Sequence, residues 1–177
     1  MTMTRPAAVL LLLLAGCFGD HPEDPVHLGR MGKLFGGKGG LDVVEFPERV
    51  EAFRLRAPDG AQAQQGYNRW PTVGPAVRVP SDAAARFSRG LTRESTYPRW
   101  EDPKGCDPRP GHMLRFFGDG RSVDVVFCFE CKILFTYRGS ESIWYANFDG
   151  STKAIATTFL QVYPNDADLK ALAAASE

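Results

Sequence analysis

Histidine is the scarcest chemistry-bearing residue in this 177-residue chain: there are three, and His112 is the only one beyond position 27. A serine or cysteine triad needs a histidine base. No Gly-x-Ser-x-Gly elbow is present either, so the residues offer no constellation for nucleophilic hydrolysis. An excess of one charge is also missing: Lys plus Arg equal Asp plus Glu at 21 each. A neutral chain has no long-range field to draw it to nucleic acid, and none is expected as a partner. The third absence is a long apolar run. The longest, Ala7 to Ala15, has nine residues, whereas a helix crossing the hydrocarbon layer needs about 20.

That short run sits in an informative place. Arg5 precedes it, the small residues Ala15 and Gly16 follow it, and Cys17 comes next, which is the layout of an export signal. An ordinary secretory leader with an incidental Cys17 would share that layout. The residues Leu14-Ala15-Gly16-Cys17 resemble the lipobox that closes bacterial lipoprotein signal peptides, over the first tenth of the chain. The resemblance implies that residues 1–16 are removed as a signal peptide. It also implies that Cys17 becomes the first mature residue and carries a diacylglyceryl thioether and an amide-linked acyl chain such as palmitate. Several chains, at about 0.8 kcal/mol per buried CH₂, make a stable anchor where one is marginal. In that family an aspartate after the cysteine retains the protein at the inner membrane. Phe18 stands there instead, which points to the outer membrane. A lipid-anchored cell-envelope protein with the membrane, and an envelope protein, as partners is the expectation.

Residues 17–41 read as the lipidated cysteine followed by a tether. Six glycines between Gly29 and Gly40, with Pro22 and Pro25, leave no apolar period of 2 or 3.6. The run Gly36-Gly37-Lys38-Gly39-Gly40 lacks the glycine spacing and the Ser or Thr of a phosphate loop.

Residues 42–177 read as a single α+β domain. Val50, Phe53 and Leu55 suggest a strand, and Val73 to Val79 a second one that Pro75 places at an edge. Ser81-Asp82 offers an N-cap to a helix carrying Ala84, Phe87 and Leu91. Tyr97 and Trp100 lie in a proline-rich stretch and read as core residues. Met113–Phe117 and Val123–Phe129 flank Asp119-Gly120, a strong hairpin signal, and Ile133–Tyr137 makes a third strand. Asp124 and Glu130 share the face opposite Val123, Val125 and Phe127, where a solvated surface is the ordinary expectation. Ile155, Phe159, Val162 and Tyr163 form a helical stripe stopped by Pro164, and a short helix follows from Asp166 to Ala174. The sum is an antiparallel meander of about five strands with two helices packed on one face.

The chemistry concentrates in Cys106, His112, Cys128 and Cys131, with the last two cysteines in Cys-Phe-Glu-Cys. A two-residue turn at Asp119-Gly120 sets Cys128 opposite Gly111, next to His112, and brings Cys131 toward Cys106 at one end of the hairpin. Three readings follow. In an oxidising compartment Cys106 bridges Cys128 or Cys131, one thiol is left over, and the closed loop contributes about 3 kcal/mol. Alternatively the four residues form a Cys₃His zinc set. The third reading is thiol redox chemistry through Cys128 and Cys131, but such pairs sit at a helix N-terminus, and the residues after Cys131 read as strand. No catalytic residue and no cofactor is assigned. The stretch from Cys106 to Pro164 also resembles a set of exported bacterial proteins of unknown role that carry a Cys-Phe-x-Cys motif, which implies no activity.

Overall fold

The computed structural model describes residues 29–56, 70–100, 102 and 104–175. Cys17 and the leader expected at residues 1–16 lie outside them. The fold is α+β, built as one open six-stranded antiparallel sheet with helices on one side.

The hairpin signal places the centre of that sheet. β3 (His112–Gly118) and β4 (Arg121–Cys128) are joined by Asp119 and Gly120, both at positive φ, 51° and 68°. This is the two-residue turn whose twist matches paired strands. The pairing His112 with Phe127 and Leu114 with Val125 follows from it. β5 (Ile133–Arg138) and β6 (Glu141–Asn147) extend the sheet on one side. β1 (Arg49–Leu55) and β2 (Thr72–Arg78) extend it on the other, in the order β2-β1-β3-β4-β5-β6. Pro75 lies in the edge strand β2, where a missing N–H leaves no ladder bond unmade. The sheet therefore has one strand more than the expected five.

Alternation along β4 divides the faces. Val123, Val125 and Phe127 join Val50, Ala52, Leu114, Phe116 and Leu134 in the main core, which the helices cover. Those helices are α3 (Ser81–Leu91), α4 (Thr152–Phe159) and α5 (Ala167–Ala174), together with two from a segment expected to be a tether. There, α1 (Gly29–Phe35) and α2 (Lys38–Glu45) bury Met31, Leu34, Phe35, Val43 and Val44. The expected boundary at residue 41 is thus wrong: from Gly29 the chain belongs to the folded body. Its glycines hid a helical hairpin by diluting the apolar period. Gly36 and Gly37 turn the chain at φ 75° and 94°, and Gly40 lets α2 lie against the end of α1. The Thr136 hydroxyl then donates to the Leu34 carbonyl at 2.5 Å and ties α1 to β5. Among the described residues the helices number five, against the two expected.

Other local readings shift by a turn. α3 begins at Ser81 after Pro80, without the expected side-chain cap. α4 ends at Phe159, so Val162 and Tyr163 follow the helix and do not belong to its stripe. Tyr97 and Trp100 pack into the core.

A methyl group on Gly40 would overlap the Phe35 carbonyl, so Gly40→Ala is expected to cost about 2–3 kcal/mol in urea unfolding. Gly90→Ala in α3, where nothing lies within 4 Å of an added Cβ, is expected to be stabilising by about 0.5–1 kcal/mol.

Candidate functional site

The sequence-derived cysteines do converge at one end of the sheet. β4 ends at Cys128, and residues 129–132 turn tightly into β5, with Lys132 N–H donating to the Phe129 carbonyl and Lys132 itself at φ 54°. Cys131 stands in that turn. The loop carrying Cys106 is laid against it by Lys104, whose ammonium donates to the Cys131 carbonyl at 3.0 Å and to Asp149 at 2.8 and 2.9 Å. Cys106 and Cys131 form a disulfide with their Cα atoms 5.9 Å apart, within the ordinary range for a bridge. Cys128 is left as a buried free thiol. Its sulfur accepts the Arg109 backbone N–H at 3.3 Å. Of the two bridges open to Cys106 the structure holds the one to Cys131.

The zinc alternative does not survive the pleat. His112 pairs with Phe127, so it points to the helix side, while Cys128, one residue on, points to the other. Adjacent positions on a strand project to opposite faces, and the sheet separates the histidine from the sulfurs. Among the described residues no group of three or more His, Cys, Asp or Glu is placed to hold a metal. The Cys-Phe-Glu-Cys motif joins two strands, so no helix dipole activates either thiol.

His112 instead belongs to a cluster that sequence reasoning missed. Its Nε2 lies 3.1 Å from Asp166 Oδ2, and Arg54 donates to the same oxygen at 2.9 Å. The other oxygen of Asp166 caps α5 by accepting the Leu169 N–H at 3.1 Å. Arg54 is brought there by pairing β1 with β3, which sets it directly opposite His112. Phe129, Phe159 and Tyr163 enclose the imidazole. His112 Nδ1 and the Tyr163 hydroxyl are buried without a partner. Burial lowers the His112 pKa and the Arg54 charge adds to that, against the opposing pull of Asp166. Burial works upward on the Asp166 carboxyl, but the Leu169 N–H, His112 and Arg54 outweigh it and hold it below the usual carboxylate range.

A second charged pair lies on the helix-free face. Asp124 was expected at a solvated surface; it is 1% exposed. Arg115, its cross-strand neighbour, donates to its two oxygens at 2.6 and 2.8 Å. Burial pushes the Asp124 carboxyl up to about 7, and the guanidinium opposes that rise. The hairpin register that placed Cys128 also pairs residues 115 and 124, so the signal was present in the sequence. The His112–Asp166 contact spans 54 residues and had no such signal.

A histidine whose pKa is lowered by folding takes up a proton on unfolding, so its contribution is complete above the ordinary value near 6.5 and fades as pH falls below it. Asp124, raised by folding, acts in the opposite sense between about 4 and 7. The two separate in a variant comparison. His112→Phe is expected to show a stability deficit in urea unfolding that shrinks from about pH 7.5 to about pH 5.5, because only the wild type has this histidine to protonate.

No family model, curated protein or solved structure matches the chain.

Proposed function

We propose that this chain is a lipid-anchored cell-envelope protein, acylated at Cys17 and more suited to the outer than the inner membrane. Its folded body acts as a non-catalytic binding or scaffolding domain. The observation that carries the binding reading is the helix-free face of the sheet. There Trp70, Met113, Val126 and Tyr137 form a second apolar cluster with Phe53, Leu55 and Phe135 at its margin. A groove of about 340 Å³ runs between Phe53, Trp70, Met113 and Arg115. Among the described residues every helix packs on the opposite face, so the groove opens on a sheet face that none of those helices covers.

The anchor reading rests on the leader, and its geometry is consistent with the folded body. The described residues begin at Gly29, twelve residues after Cys17. At about 3.3–3.6 Å per residue the domain would lie no further than about 40 Å from an acylated cysteine. No helix among the described residues is long and apolar enough to cross a membrane.

The test is Cys17→Ser in a bacterial host fed an alkyne fatty acid. The wild type is expected to incorporate the label, lose its leader and sediment with membranes, and the variant to lose both label and sedimentation. An unlabelled wild type that keeps its leader in the cytosol would overturn the proposal.

A further inference from the structure

Three sulfurs at one end of the sheet share a single bridge. Cys128 is fully buried, and Cys131 is 4% exposed beside it. Both belong to one packed cluster with Ile133, against which Cys106 also packs. The free thiol therefore lies in the same small group of side chains as the disulfide, and the sheet and the loop shield it from outside reagents. The Arg109 N–H donates to its sulfur at 3.3 Å. The same hydrogen bond lays the Cys106 loop across Cys128. The two bridges that Cys106 can make enclose loops of similar length, 25 residues to Cys131 and 22 to Cys128. Chain entropy hardly distinguishes them.

We propose that Cys106, Cys128 and Cys131 form an internal thiol–disulfide exchange site in which Cys106 passes between the two cysteines of the Cys-Phe-Glu-Cys turn. The Cys128 thiol gives its proton to solvent, and the thiolate attacks Sγ of Cys106. The Cys106–Cys128 bond forms as the Cys106–Cys131 bond breaks. The electron pair leaves on Cys131, which takes a proton from solvent. Oxidation states balance, so no external oxidant or reductant enters. The product carries its free thiol on Cys131, in the β4–β5 turn. Exchange by attack on Cys131 is disfavoured because a Cys128–Cys131 bridge would have to close inside a turn already held by Lys132 N–H on the Phe129 carbonyl.

The experiment uses the full chain with Cys17→Ser, so that three cysteines report. Glu130 lies between Cys128 and Cys131, so cleavage after glutamate in acid separates them for disulfide mapping. After incubation of the native protein at about pH 8.5, the ordinary pKa of a free cysteine in water, acid quench and alkylation should reveal a Cys106–Cys128 linkage together with alkylated Cys131, and no Cys128–Cys131 linkage. In urea all three pairings should appear, as expected for statistical scrambling. Cys131→Ser is the second arm: it should fold with no titratable thiol, its two remaining cysteines having joined. Cys106–Cys131 as the sole native linkage at every time would overturn the proposal. So would a folded Cys131→Ser with two free thiols, and if that variant does not fold, the native mapping alone decides.

Discussion

Arg115→Met should lower the unfolding free energy by about 3 kcal/mol at neutral pH, the lower end of the cost of removing one partner from a buried ion pair. Asp124 is 1% exposed in the middle of the sheet, and both of its oxygens accept from the guanidinium. Methionine fills the space and leaves the carboxylate without those two charge-assisted bonds. The sign of the pH dependence follows from the elevated carboxyl, about 7 with arginine in place. Losing the guanidinium raises it further, so the variant's deficit should be smaller at about pH 5.5, where the carboxyl is neutral, than at about pH 7.5. The double variant Arg115→Met with Asp124→Leu should recover most of the loss, because replacing a buried pair by apolar residues is often neutral. Urea melts of the three proteins at both pH values check this. A deficit that grows on acidification would contradict the assignment.

Phe159→Ala is expected to cost about 4 kcal/mol and to lower the melting temperature by roughly 10 °C, read by calorimetry. Phe159 is fully buried at the last residue of α4. Its ring meets those of Phe87 at 4.8 Å, His112 at 5.1 Å, Phe127 at 5.2 Å and Phe129 at 5.9 Å. One side chain thus joins α3, α4 and two central strands, and those elements cannot all close on the cavity left by its removal. A second readout separates lost packing from lost shielding. Water admitted beside His112 relieves the desolvation that lowers its pKa, so the imidazole should titrate higher in the variant, by NMR, than in the wild type.

What was legible before the structure is clearest at the β3–β4 hairpin. Asp119-Gly120 between apolar runs specifies a turn type, the turn type specifies a register, and the register places Cys128 and pairs Arg115 with Asp124. Pro75 likewise marks an edge strand from a single missing donor. The segment 29–45 was misread for a physical reason. Its glycines serve one sharp turn and one close helix contact, but in a periodicity analysis they weigh only as breakers. The burial of Asp124 was misread because a charge on an alternating strand is normally solvated.

At the candidate site the division is similar. The residue types and the strand after Cys131 already argued against a helix-activated thiol pair, and the structure agrees in having a strand-to-strand turn there. The choice between bridges was not available. Cys128 and Cys131 are three residues apart, and only the path of the loop held by Lys104 against Asp149 decides which of them Cys106 meets.

Local chemistry by itself determined this protein's class of fold and the hairpin at its centre, because turn residues and alternation act over a few positions. Tertiary structure alone decided which cysteines bond, that the sheet parts His112 from Cys128, and that Arg54, His112 and Asp166 meet. Those outcomes depend on strand order and helix placement, which are collective results of burying one apolar face, and no short stretch of sequence encodes them.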